Sequence, residues 1–546
     1  MANPTFMDSI ADEELRNFER LSGDRGTWES HWQEIAERMF QAYSNTFQTN
    51  NFRTPGEKRT ELIFDSTATV ALKRFGAILD SLLTPRNTTW HRLLPSDPYL
   101  AKDRQTKLWF EEATRILFKH RYAPKANFAS QNQQNYMGLG AFGTGCLFTD
   151  ALKSERGLRY RAIGLGEIFF DENHQGIIDT AYRRFELTAR QAVQQWGEDN
   201  LPKSIVDKAK DNTKFWFVHC VKPREDYDPQ RLDAKGMPYA SYYISEEGRT
   251  LIKEEGYTTF PYAIGRYEQA PGEVYGRGPA MDVLPAIKTL NEEKKTLLKQ
   301  GHRALDPILL THDDGIASGF SMKPGALNSG AVTQDGRLLV HALPTGNIAV
   351  GKDLMDDERA VINDAFLVTL FQILVETPTM TATEVMERTR EKGILLAPTV
   401  GRQQSEYLGP LIEREIDVMV RQGLLPPMPP ALLEARGEYR VEYDSPLSRA
   451  QRAEEVAGVM RTVETALNIV NVTQDPSPLD HFDWDAIIPE VAEIQAVPTR
   501  WMRAADQVKM LREGRKQAQQ QQQTVNALPG VAAMTKAAAV AREKQP

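Results

Sequence analysis

Along the 546 residues the spacing of apolar positions changes twice. Near the N-terminus they recur every three or four residues, and Trp28, Trp32, Ile35 and Met39 predict helix between Ile10 and about Tyr43. In "FDSTATVALKRFGAILDSLLTPRNTTWHRL" a stripe of Leu72, Phe75, Leu79 and Leu82 predicts a second helix stopping at Thr84-Pro85. Two more are expected, from about Ala101 to His120 and from Phe128 to Met137. The period then shortens. "GTGCLFTD", "YRAIGLGEIFFDENHQGIIDTAYRRFEL", "KFWFVHCV" and "ASYYISEEGRTLIKEEGY" are β-branched or aromatic runs cut by Gly, Asn and Asp turns. They predict a mixed, largely antiparallel α+β unit ending near Tyr275.

Helical spacing returns in "YGRGPAMDVLPAIKTLNEEKKTLLKQGHR", with Pro279 suited to a first turn and Leu284, Ile287, Leu290, Leu297 and Leu298 repeating. Met281 to Arg303, as one helix, makes a strut of roughly 35 Å. Asp306 to Val350, rich in Gly, Asp and short apolar pairs, predicts a small β-containing insertion. A second strut over Asp353 to about Thr369 follows. "ILVETPTMTATEVMERTREK" breaks it at Pro378 and restarts it, with Thr381 and Glu384 at the spacing of a reciprocal cap. Between Thr381 and Gln422, Gly393, Pro398 and Gly409-Pro410 predict kinks. "GLLPPMPPALL" reads as a rigid linker. "SRAQRAEEVAGVMRTVETALNIV" and "IIPEVAEIQAVPTRWMRAADQVKMLREGRKQ" predict a final helical subdomain, and the Gln- and Ala-rich sequence after Arg512 a mobile tail.

Composition narrows what such a chain can do. Its length excludes one small domain, and 41% apolar with 26% charged residues fits a folded protein. A net charge of −8 supplies no overall positive field to hold nucleic acid by counterion release, although a nucleic acid could still pass without sticking. Cys146 and Cys220, each among apolar or aromatic neighbours, are expected as buried free thiols. "MANPTFMDSIADEEL" lacks the basic start and apolar run of a signal peptide. "AFLVTLFQILV" is about half the ~20 residues that a bilayer span needs, so cytoplasmic synthesis and no membrane partner are expected.

Motifs for catalysis fare poorly. "GLGAFG" (Gly138 to Gly143) matches a dinucleotide fingerprint in letters, but a helix precedes it and a strand follows, the reverse of what a pyrophosphate site needs. Glycines turning a helix tightly into a sheet explain it better. No P-loop, H-E-x-x-H or G-x-S-x-G motif occurs. "DENH" at Asp171 to His174 and "HDD" at His312 to Asp314 read as solvated turns, so no metal site and no cofactor is expected. Lys288, Lys294, Lys295, Lys299 and Arg303 on the first strut outnumber Asp282, Glu292 and Glu293 by two. That mixture is an ordinary solvated face unless the helix lines a channel.

The segments "TATVALKRFGAILDSLLTPRNTTWHRL", "DENHQGIIDTAYRRFELT", "YGRGPAMDVLPAIKTLNEEKK" and "TPTMTATEVMERTREK" resemble the portal protein, or head-to-tail connector, of T7-like short-tailed bacteriophages. The resemblance covers about Asp65 to Met510. It implies an α+β, mainly helical portal-protein fold in a dodecameric ring around a DNA channel. The implied parts are an N-terminal wing (1–275), a first stem helix (276–305), a clip (306–350), a second stem helix (351–370), a tunnel loop (371–380), a long kinked wing helix with return segment (381–445), a helical crown (446–512) and a C-terminal tail (513–546). Glu376, Thr377, Pro378, Thr379 and Met380 would face the channel, the five basic strut residues are candidate channel-lining positions, and Asp306, His312, Asp313, Asp314 and Lys323 a docking surface.

The implied function is non-enzymatic. The ring sits in the virion between capsid and tail, having assembled in the host cytoplasm. It conducts double-stranded DNA without sequence preference during packaging and ejection. Its implied partners are other copies of itself, the large terminase subunit, tail adaptor or nozzle proteins, and the major capsid and scaffolding proteins. The alternative is another phage ring component such as a tail adaptor or nozzle, which would not need the strut, insertion, strut order. An enzyme using a nucleotide or metal rests only on "GLGAFG" and the two acidic turns.

Overall fold

A computed structural model describes residues 4–44, 46–47, 56–153, 155–311, 320–344, 348–369, 396–435, 437–444, 446–475, 477–495, 497–504 and 506–520. They fall into two compact units, one made of residues 1–90 and 117–424 and the other of 91–116 and 425–546.

The first unit opens with α1 (Pro4–Asp24) and α2 (Gly26–Met39) where one helix was expected. Arg25 causes the break. Its buried guanidinium donates to the carbonyls of Leu165 (2.8 Å) and Ile168 (2.6 Å), pairs with Glu29 at 2.7 Å, and lies 3.6 Å from the Phe169 ring centre. A buried cation needs such partners, and no apolar spacing announces them. α3 (Thr67–Leu83) ends where Thr84-Pro85 requires. Next in the chain come β1 (His91–Pro95) and α4 (Arg104–Arg121), whose residues up to Ile116 belong to the second unit.

α5 (Phe128–Phe142) runs further than expected, through most of "GLGAFG", and turns directly into β2 (Thr144–Ala151). Gly143 makes that turn at φ +71°, where a Cβ would stand 2.4 Å from the backbone at Gly276 and Arg277. At Gly140 a Cβ would come within 2.6 Å of the Phe75 ring, so this glycine lets α3 and α5 close on one another.

β2 is the middle of an antiparallel sheet with β3 (Leu158–Ala162) and, at its other edge, β9 (Tyr262–Arg266). β4 (Ile168–Glu172), β5 (Ile178–Thr188), β6 (Lys214–Pro223), β7 (Tyr239–Ser245) and β8 (Thr250–Tyr257) form a second antiparallel sheet in chain order. Alternation assigns its two faces. Val218 and Cys220 of β6 pack with Ala11, Leu15 and Phe18 of α1. Phe215 and Phe217 pack with α6 (Ala189–Trp196) and α7 (Lys203–Val206). Thr188 and Gln191 start α6 with a reciprocal cap.

The expected single strut is two helices, α8 (Pro279–Asp282) and α9 (Leu284–Leu305). Pro285 has no N–H to continue the first of them. β10 (Leu309–Thr311) and β11 (Val340–Ala342) pair antiparallel inside the segment read as a small insertion. α10 (Ile348–Ala365) follows. After residues 396–402, which are helical, the chain makes a π-turn over Gln403–Leu408 and continues as α11 (Gly409–Arg421). This irregularity sits at the Gly409-Pro410 position where a kink was expected, because proline deletes a ladder donor. Its side chains hold the unit together: Gln403 donates to the Arg266 carbonyl at 2.7 Å, Glu406 pairs with Arg266 at 3.0 Å and Tyr407 donates to Asn132 at 2.6 Å.

In the second unit β1 pairs antiparallel with β12 (Tyr439–Tyr443). Neighbouring Arg92 and Asp444, 352 residues apart in sequence, join at 3.3 Å. The unit also contains α12 (Pro430–Glu434), α13 (Pro446–Thr473), α14 (Trp484–Ile494) and a helix over 506–520, which carries on past Arg512. Arg104 donates to the Met502 carbonyl at 2.7 Å and Trp109 to that of Pro426 at 3.0 Å. Residues 521–546 lie outside the described residues.

Candidate functional site

α9 and α10 form a pair of struts anchored at one end. α9 buries Leu284, Ile287, Leu290 and Asn291, and from Glu292 onward none of its residues is buried. Asn291 is the clamp: its Oδ1 accepts from the backbone N–H groups of Phe64 (2.9 Å) and Asp65 (3.1 Å), while its Nδ2 donates to the Ile287 carbonyl (2.9 Å). α10 buries Met355 and Ile362 and is tied to the same loop by Arg359, which reaches Asp65 at 2.6 Å. Burial pushes the Asp65 carboxyl up, but the Thr67 hydroxyl and N–H together with Arg359 outweigh it and leave the group below its ordinary value.

The five basic positions of the first strut do not behave alike. Lys288 pairs with Glu34 at 2.7 Å, and Lys295 with Glu292 at 3.2 Å. Lys294, Lys299 and Arg303 have no ionic partner among the described residues. Where α9 meets α10, like charges face each other. Glu293 is raised above its ordinary value by burial and then by Glu358.

Of the expected docking positions, Asp306 and Lys323 are exposed, while His312, Asp313 and Asp314 lie outside the described residues. So do Glu376, Thr377, Pro378, Thr379 and Met380. A polar reading of this segment missed its apolar surface. Leu310, Phe320, Met322, Leu327 (99% exposed), Leu338 and Leu343 all stand in solvent within 306–344. Exposed large apolar side chains this frequent along one short segment make it a candidate surface for a partner to cover. The signal was present as short apolar pairs, which read equally well as strand cores.

The acidic turn at 171–174 is occupied by its own fold. Glu172 pairs with Arg266 at 2.8 Å, and Asn173 accepts from the N–H groups of Gln175 and Ile177. His219 is a core residue: its ring nitrogens bond Tyr262 (2.7 Å) and Ser241 (2.9 Å), it stacks on Tyr243 at 4.2 Å, and burial holds its pKa down to about 3. Cys146 and Cys220 are free and buried. Among the described residues no helix is long and apolar enough to cross a membrane.

Residues 11–502, spanning both units, match the family described as bacteriophage head to tail connecting protein. The chain belongs to that family. The chain is 30% identical over 529 residues to the probable portal protein of Bordetella phage BPP-1, covering 93% of this chain and 91% of that one. It is 28% identical over 517 residues to the portal protein of Salmonella phage epsilon15, covering 92% and 91%.

Proposed function

We propose that the chain is a portal subunit, one copy of a ring at a single capsid vertex through which double-stranded DNA is packaged and later ejected. Membership of the head-to-tail connecting family over residues 11–502 is the observation that carries this reading. In it, α9 and α10 are the stem, the segment between them is the clip that docks the packaging motor and then the tail, and Glu376 to Met380 form a collar around passing DNA. Helices α13 and α14, within residues 446–512, are the crown, and the N-terminal sheets belong to the wing.

The work of such a ring is conduction, not catalysis. A channel lined with many lysines would hold DNA with steep salt dependence and impede its movement. A chain of net charge −8, with no overall positive field, lets the duplex slide. The collar carries two threonine hydroxyls, a thioether and one carboxylate but no cation, so its contacts are single hydrogen bonds and dispersion, each modest once water is displaced. Complementation tests the reading. Phage lacking this chain should make heads that contain no DNA, and supplying the chain should restore filled heads with tails.

A further inference from the structure

We propose that the basic stripe of α9 seats on the acidic stripe of α10 of a second copy of this chain, forming the stem boundary between neighbouring subunits. The proposal rests on the ring reading above and adds the surfaces that close it.

The two stripes follow from helical spacing. On α10, Asp353, Asp357, Ala360 and Asp364 step by four, three and four residues, which places them on one side. That side lies opposite buried Met355 and Ile362. All four are exposed, and none of the three aspartates has an ionic partner among the described residues. On α9, Lys288, Glu292, Lys295, Lys299 and Arg303 step by four, three, four and four, again a single stripe, whose far end at Lys299 and Arg303 is exposed and unpaired among the described residues. α9 carries five cations against two carboxylates, a net +3; α10 carries two cations against five carboxylates, a net −3.

One copy does not use this match. Its own α9 meets α10 through Leu297 and Gly351, where a Cβ at 351 would lie 3.1 Å from Leu297 Cδ1. The charges brought together there are Glu293 and Glu358, of the same sign. Lys288 and Glu292, at the near end of the basic stripe, line the groove against Gly351 and Leu354 of the same copy, while Lys299, Arg303 and the three aspartates lie outside that lining. Exposed Val350, Leu354 and Val361 run beside the acidic stripe and add apolar area to it. The stripes are different surfaces, so pairing one with the other is head-to-tail and repeats around a ring. This assigns Lys299 and Arg303 to the subunit boundary instead of the channel wall. Phosphate contact by those cations would leave the α10 aspartates without a partner.

The test uses the purified full chain and native mass measurement. K299E/R303E and D353K/D357K should each lose rings while keeping the wild-type circular dichroism and melting temperature, because all four positions are exposed. Mixing the two variants should restore rings in which they alternate, and the quadruple variant should assemble alone. Rings that form normally from either double variant would overturn the proposal. So would folded variants that neither mixing nor combination rescues, or rings that persist in K299E/R303E but retain DNA less well, which would make the stripe a phosphate surface. A wild-type chain that never assembles would instead overturn the ring reading on which the pairing rests.

Discussion

Arg121 and Glu415 are wholly buried and hold each other: the guanidinium donates Nε to Oε1 at 2.9 Å and Nη2 to the other oxygen, Tyr160 adds its hydroxyl at 2.6 Å, and the Trp90 ring centre lies 4.5 Å from the cation. Removing one partner leaves an uncompensated buried charge, so Glu415→Ala should destabilise its unit by about 3–5 kcal/mol, whereas Arg121→Met with Glu415→Leu should recover most of that. Urea melts of the single and double variants check this. His219 gives a pH signature. Its pKa falls from its ordinary 6.5 to about 3 in the fold, so the unfolded chain binds the extra proton in that window and stability drops as the medium becomes acidic. Each pH unit lost between those values should cost about 1.4 kcal/mol, and His219→Gln should reduce the measured slope by about one proton. None of these side chains was legible as a partner in the sequence, since a buried ion pair or a satisfied histidine depends on residues brought together from far apart. The two cysteines were legible, because apolar neighbours are local.

At the scale of elements, period and punctuation carried most of the information. Thr84-Pro85 ended α3, the alternating aromatic runs became the antiparallel strands, and Gly409-Pro410 marked the π-turn into α11. What period cannot express was lost: the Arg25 break, the Pro285 division of the first strut, and the pairing of β1 with β12 across the length of the chain. The strut base offers a direct check. Asp65→Ala strips Thr67 of its acceptor and leaves Arg359 only Asp356, and should cost about 1–3 kcal/mol and speed hydrogen exchange in α9 and α10 ahead of the sheets. Between the struts, exposed apolar side chains stand in the same segment as the polar docking positions read from sequence. Leu327→Asp with Leu338→Asp should change subunit stability by no more than about 0.5 kcal/mol per site while weakening binding of the packaging motor or the tail. Unchanged binding of both would mean that this surface is covered by something else. Replacing Thr377 and Thr379 by Lys should make DNA retention more salt-dependent and slow packaging without affecting assembly.

The whole molecule was legible in outline because the order of its parts, sheets then strut, insertion and strut, then a helical end, is written in successive changes of period. Its division into two units, with residues 91–116 joined to 425–546, was not, since chain order says nothing of which distant segments share a core. Removing residues 521–546 should leave assembly intact, because sequence this poor in large apolar side chains buries little surface to offset its ordering entropy. In a portal ring many copies of this chain surround an opening that DNA traverses. Electron microscopy of the purified chain tests this most directly: end-on views of closed rings with an open central hole are expected, and a population of stable monomers at high concentration, or closed oligomers without a hole, would contradict the ring.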